Sequence, residues 1–224
     1  MRFLFLCFFL VAQASFSQTK ELRAYSTPSP ELSGKLFNTQ TGEFLSDEEI
    51  QKLKAEIPKF QYEPVYDIAG KVEKYLFDPE DPRKVILRNP ALQPKVGEEF
   101  PEFVFQTVKG KEVTTASMRG NWSLLFFKNS ISTFHQAQFD QLLADLNEAS
   151  TEVKIQAIAI FAYDEPIEPL FENHPIDGVK NGNGFFQRFH LTSMPTVFLI
   201  NPEGQIEAKF EGTKPIDFKS FLGK

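Results

Sequence analysis

One cysteine, Cys7, is all that the 224 residues contain. No disulfide can form within the chain, and beyond Cys7 there is no thiol to serve as nucleophile, redox group or metal ligand. Basic residues are also in deficit: 24 Lys and Arg face 30 Asp and Glu, a formal charge of -6. That sign argues against a nucleic-acid partner, which needs a basic face. It disfavours electrostatic binding to anionic membranes as well. Long apolar runs are missing after residue 12. The internal apolar strings, 124–127, 157–163 and 197–200, have strand length, whereas a spanning helix takes roughly 20 residues; no stable membrane insertion is expected.

Histidine is scarce, and His135, His174 and His190 share no ligand spacing. Glu172, His174 and Asp177 are close in sequence but match no established metal pattern. The run Asn181-Gly182-Asn183-Gly184 lacks the lysine and the strand-loop-helix setting of a phosphate loop. The acidic turn from Asp78 to Asp81 has too few spaced oxygens for calcium. We therefore expect no metal and no cofactor. His174 and His190 read as surface or half-buried loop residues, and Trp122 as core or edge packing.

What is present begins with Arg2, an apolar run over residues 3–12, and small residues two apart at Ala12/Ala14 and Ser15/Ser17. This is the order of a signal peptide. A buried first helix is the competing reading, and a lipid anchor at Cys7 would leave only six residues ahead of it. Removal of residues 1–17 leaves a mature chain of 207 residues with no cysteine, expected in an exported compartment, periplasmic or secreted. That length allows one large or two small domains. Phenylalanine is abundant, with 25 in the chain and 20 of them after residue 17. Most of these 20 are expected in the core.

Residues 18–34 are polar, carry Pro28 and Pro30, and read as a flexible leader. Residues 35–94 form an N-terminal extension of unknown fold, small α+β or irregular. Within it, residues 35–44 suggest a hairpin around Thr41-Gly42. Ser46 with Glu49 three residues on is a capping-box match, which predicts a helix from Asp47 to about Ala55 with Ile50 and Leu53 on one face. Residues 65–77 read as two strand pieces around Ala69-Gly70. Residues 78–82 read as a turn or linker.

From residue 95 the signals sharpen. Residues 102–107 alternate as a strand should, and 112–115 return after the turn at Gly110. A short turn or helix over residues 116–119 ends at Gly120. Residues 123–127 and 154–161 are near-continuous apolar strands, the kind buried on both faces. Between them, residues 133–149 have helical apolar spacing, so the unit is βαβ with parallel strands. A loop-rich stretch with turn pairs at Asp177-Gly178, Asn181-Gly182 and Asn183-Gly184 follows. Then come a short helix over 185–190, a hairpin over 196–201 and 205–210, and a closing helix over 215–222.

This order resembles the thioredoxin-like fold, and more narrowly the exported thiol-disulfide reductases and peroxiredoxin-like redoxin domains of bacteria. The residues that carry the likeness are Gly110-Lys111-Glu112-Val113, Ser117-Met118-Arg119-Gly120-Asn121-Trp122, and above all residues 193–206. That last block is similar to the family's Pro-Thr-x-Phe-Leu-Ile-Asp-x-x-Gly-x-Ile pattern. The likeness spans residues 95–224 and leaves 18–94 unexplained. It implies an α/β fold with a central mixed sheet flanked by helices, and a cis peptide at Met194-Pro195. It also places a Cys-x-x-Cys motif after the central strand, where this chain has Ser132, Thr133, Phe134 and His135, or the same window shifted by one residue. A hydroxyl cannot replace a thiolate in disulfide exchange or peroxide reduction, so neither activity is expected.

The expected function is therefore a non-catalytic binding module. Phe134, His135, Met194, Pro195 and Thr196 would form a groove that holds an extended segment of a protein or peptide partner. Two alternatives stay open. One is a non-redox, hydrolase-type enzyme reusing polar residues such as Ser132 and His135. It lacks a glycine-flanked nucleophile elbow, and Ser132 or Thr133 also reads as a helix N-cap. The other is a structural scaffold for residues 35–94.

Overall fold

Two sheets organise the protein, a small one built from the extension and a larger one that carries the core. The structure is a computed structural model that describes residues 30–133, 141, 144–145, 148, 155–212 and 219–222. From Leu32 onward the chain forms one compact unit.

The small sheet starts with β1 (Leu36–Asn38) and β2 (Glu43–Phe44), an antiparallel hairpin. Asn38 Oδ1 accepts from the N–H groups of Gln40 and Thr41, which closes the turn. Helix α1 (Asp47–Glu56) follows with the expected capping box, Ser46 and Glu49 each satisfying the other's backbone N–H. Ile50 is its buried residue. Strands β3 (Glu63–Tyr66) and β4 (Val72–Phe77) form a second hairpin, and β4 lies parallel to β1. The order is β2-β1-β4-β3, so β3 is an edge. Leu32, Leu36, Ile50, Phe60, Tyr75 and Phe77 fill its core. The extension is thus α+β with a core of its own.

Beyond it, β5 (Val104–Gln106) and β6 (Glu112–Thr114) pair as a two-stranded ribbon, and α2 (Thr115–Met118) leads into the main sheet. That sheet has five strands: β7 (Trp122–Lys128), β8 (Ile155–Phe161), β9 (Asp177–Val179), β10 (Thr196–Ile200) and β11 (Ile206–Glu211). Their order is β11-β10-β7-β8-β9. β7, β8 and β9 are parallel, while β10 and β11 are antiparallel to their neighbours. This is the mixed α/β sheet of a thioredoxin-like fold, and Met194-Pro195 is cis.

Both faces of the sheet are covered, which is why its strands read as continuous apolar runs. Leu125, Phe127, Ile158, Ile160 and Phe198 point to one core, with Phe185, Phe186 and Phe189 from helix α4 (Asn183–Arg188). Leu124, Ala159, Phe161, Val197 and Leu199 point to the other, with Ile167 and Phe171 at helix α3 (Glu168–Phe171). Alternation along each strand thus feeds both cores. Each fully buried Phe contributes about 1.5–3 kcal/mol of transfer free energy.

Two glycine pairs expected as turns do something else. Asp177-Gly178 belongs to the edge strand β9. A Cβ on Gly178 would stand 2.7 Å from Phe171 Cγ, so the phenyl ring closes over the strand only because glycine is there. Asp177 is drawn inward because Lys109 and Lys111 meet its two oxygens, each at 3.1 Å. Asn183-Gly184 opens α4, and a Cβ on Gly184 would come within 1.8 Å of Gly70 O. The β3–β4 turn therefore sits directly on the first turn of α4. Neither signal is visible in the dipeptide itself, since Gly178 answers to the Phe171 ring on helix α3 and Gly184 to Gly70 in the β3–β4 turn.

The expected helix over 133–149 is helical at Gln141, Ala144, Asp145 and Glu148, and its other positions lie outside the described residues. The closing helix α5 is described as Lys219–Leu222. Among the described residues, no helix is long and apolar enough to cross a membrane.

Candidate functional site

The parallel strands β7 and β8 end on the same side of the sheet, and β10 begins there. In the sheet, β8 and β9 extend to one side of β7 while β10 and β11 lie on the other. Loops that leave a sheet in opposite directions open a crevice at the carboxyl ends of its strands, where ligands of open α/β sheets bind. Residues from three segments meet at this end: 128–133 after β7, Glu165 after β8, and 193–196 before β10.

β7 stops at Lys128 because Asn129 and Ser130 turn away into a 3-10 turn, Ile131–Thr133. A buried carboxylate holds that turn. Ser130 Oγ donates to Glu165 Oε1 at 2.6 Å, and the Ile131 N–H donates to Oε2 at 2.7 Å. Ser132 N–H donates to Ser130 Oγ at 3.0 Å. With the Ser130 proton committed to Glu165, the 2.7 Å contact between the two hydroxyls has Ser132 donating. Bonds to a carboxylate are shorter and stronger than neutral ones, so Glu165 staples this turn to the loop beyond β8. Ser132 touches a hydroxyl, and no described carboxylate or imidazole reaches it. A nucleophilic serine needs an adjacent base.

Lys128 is half-buried, and that burial lowers its amine below the ordinary lysine range. No described carboxylate pairs with it.

On the facing side, Met194 is half-buried and packs its side chain against the core. Its two neighbours are pinned: Ser193 C=O accepts from Thr196 Oγ1–H at 2.7 Å, and Pro195 C=O accepts from the Gly212 N–H at 2.9 Å. Met194 itself has an N–H and a C=O that make no hydrogen bond with any described residue. Backbone N–H and C=O groups are obligatory hydrogen-bonding groups, so at this partly exposed residue they are left to water or to another acceptor and donor. Pro195 and Thr196 are buried and serve as its footing.

The expected site residues thus divide. Met194, Pro195 and Thr196 share one segment at the end of the sheet. Ser132 and Thr133 lie in the turn after β7, with Ser132 exposed. Phe134 and His135 lie outside the described residues. Ser130, Glu165 and Lys128 were not singled out from sequence. Asp164-Glu165 looks like a solvated acidic pair, and only the apolar flanks Phe161-Ala162 and Ile167 mark the second acid as drawn inward. His174 and His190 are half-buried, and each Nδ1 accepts a backbone N–H, from Ile176 and Asn89 respectively. Among the described residues, no group of three His, Cys, Asp or Glu could hold a metal ion.

No known protein-family profile matches the chain, and no curated protein matches it. Solved structures do. A thiol peroxidase from Chromobacterium violaceum is 13% identical, with a TM-score of 0.47 over 60% of this chain and 86% of that one. The thioredoxin domain of a thiol-disulfide oxidoreductase from Bacteroides vulgatus is 18% identical, with a TM-score of 0.44 over 53% and 90%. A thiol-disulfide oxidoreductase from Bacteroides fragilis is 20% identical, with a TM-score of 0.40 over 51% and 92%. At such identities their chemistry does not transfer to this chain, which has no cysteine after Cys7.

Proposed function

We propose that this is an exported, non-catalytic binding module whose working surface is the sheet end around Met194. The observation that carries this reading is the Met194 backbone, which pairs with no described residue and is set between two pinned neighbours beside a half-buried thioether. One free donor and one free acceptor at a strand start are what an extended segment needs for strand-like pairing, and the Met side chain offers an adaptable apolar contact. The occupant is an extended stretch of a protein or peptide. The charged apolar leader of residues 2–17 supports export, and the missing thiol supports a role without redox chemistry.

The hydrolase-type alternative has less to stand on. Ser132 is held by Ser130, and the described carboxylate nearby, Glu165, spends its oxygens on Ser130 and the Ile131 N–H.

The test is crosslinking of the mature protein in its own cell envelope, beside a folded Met194→Glu variant. A single partner captured by the wild type, lost in the variant, and bound again as an isolated extended peptide is the expected result. Equal capture by both proteins, or none by either, refutes the assignment of this surface.

A further inference from the structure

A second concavity lies away from the β7 end, between edge strand β3, the stretch 86–88 and the C-terminal end of α4. Its volume is about 210 Å³. Pro64, Val65, Ile86 and Leu87 give it apolar walls, and Tyr66 and Arg88 are its polar lining on the extension side.

The chemistry of Arg88 is incomplete. A guanidinium has five N–H donors. Here Nε donates to Gln187 Oε1 at 3.2 Å and Nη1 donates to the Leu191 carbonyl. The other donors meet no acceptor among the described residues, and no described carboxylate pairs with this cation. Burial pulls it below the ordinary arginine range, against the opposing influence of Tyr66 and Tyr163. The Tyr66 hydroxyl, which feels Arg88 in turn, makes no hydrogen bond with any described residue. Arg188, on the α4 side, is also desolvated, but the charges of Asp67 and Glu102 oppose that effect; its Nη1 donates to the Glu102 carbonyl. The one carboxylate on the lining, Glu63, is exposed and pairs with neither arginine.

The drawn-in carboxylates, by contrast, are answered. Glu165 has Ser130 and the Ile131 N–H, and Asp177 has two lysines. An arginine drawn into a cavity with donors to spare is the residue type that grips carboxylates by a planar fork. A cation held partly out of water without an anion is also unfavourable until one arrives.

We infer that this cavity binds a small organic acid, its carboxylate on Arg88 and the Tyr66 hydroxyl and its compact apolar body against Pro64, Val65, Ile86 and Leu87. The size excludes a drug-sized ligand, since such pockets run to about 300 Å³ and more. It leaves room for a benzoate-sized acid. The inference does not depend on the reading of the Met194 surface.

The experiment is calorimetric titration of the mature protein with sodium benzoate at fixed ionic strength, with benzyl alcohol and inorganic phosphate as comparison probes. Saturable benzoate binding is expected, with a parallel rise in melting temperature because only the folded state binds. Both comparison probes should bind at least about tenfold more weakly, since each lacks one half of the recognition. Arg88→Gln should weaken benzoate by about tenfold or more, and Tyr66→Phe by a few-fold. Should Arg88→Gln not fold, Leu87→Glu replaces it: Leu87 is 78% exposed, so the change is tolerated, and it sets a carboxylate at the mouth. Weaker benzoate binding in that variant supports the site. No saturable binding, binding unchanged in these variants, or phosphate binding as tightly as benzoate overturns it.

Discussion

Glu165 at the end of β7 and Arg88 beside β3 are both charged side chains drawn partly out of water, yet only the first has its charge met. Each Glu165 oxygen accepts a donor from the turn it holds. Arg88 keeps donors in hand at the wall of a cavity. A buried charge with every bond committed fixes a loop. A half-buried charge with bonds uncommitted is available to a ligand. By that criterion the described side chains at the sheet end after β7 form a closed structural staple, while the Met194 N–H and C=O there pair with no described residue. The extension, whose one sequence motif is a helix cap, holds Arg88, with donors that no described residue meets.

The comparison breaks most severely at the joint between the two regions. A Cβ on Gly184 would meet the Gly70 carbonyl at 1.8 Å, backbone against backbone, with no flexible side chain to give way. Gly184→Ala should therefore destabilise the protein by about 3 kcal/mol or more, as severe overpacking does. Urea unfolding measures this. If the hairpin is pushed off α4, benzoate binding near Tyr66 should fall while the β7 end keeps its hydrogen-exchange protection. A loss below about 1 kcal/mol would mean that the two glycines do not need their close approach.

A more direct probe sets Glu165→Ala against Arg88→Met. The first removes the acceptor for the Ser130 hydroxyl and the Ile131 N–H, and should cost about 2 kcal/mol. The second discards a desolvated cation that has no anion among the described residues while keeping most of the stem's packing. It should cost no more than about 1 kcal/mol, because removing an unmet charge offsets the two donated bonds. Equal costs would erase the distinction between the two regions, and a reversed order would invert it.

Much of this was legible along the chain. The strands β7, β8 and β10 announced themselves as apolar runs because both sheet faces are covered. The capping box at Ser46 and Glu49 and the hairpins around Gly42 and Gly70 are local devices that need no tertiary partner. The cis peptide at Met194-Pro195 was legible through the resemblance of residues 193–206 to a thioredoxin-like pattern. What the sequence hid depends on contacts with other elements. Gly178 and Gly184 looked like turn residues because the contacts that require them, with the Phe171 ring and the Gly70 carbonyl, belong to other elements of the fold. Glu165 looked solvated because its partners follow another strand. Arg88 gave no signal at all, since a lone basic residue in the extension is ordinary until the cavity around it is seen.

Lys128 offers the smallest effect and decides on which side of the comparison it falls. Burial holds its folded-state amine below the ordinary value of 10.5. Between the folded and unfolded values the unfolded chain binds the extra proton, so stability rises with pH through that window. Below the window both states are charged and the penalty is fully present. Lys128→Met should therefore be slightly more stable than the wild type at pH 7, and the wild type should gain on it as pH rises toward 10.5. Urea midpoints for both proteins across that range check the sign. A lysine paired with a carboxylate would have its value raised and would lose stability as pH climbed, the opposite slope. A rising slope places Lys128 with Arg88, as a charge the fold leaves unmet. A falling slope places it with Glu165, and a carboxylate that faces it should then be sought among its neighbours.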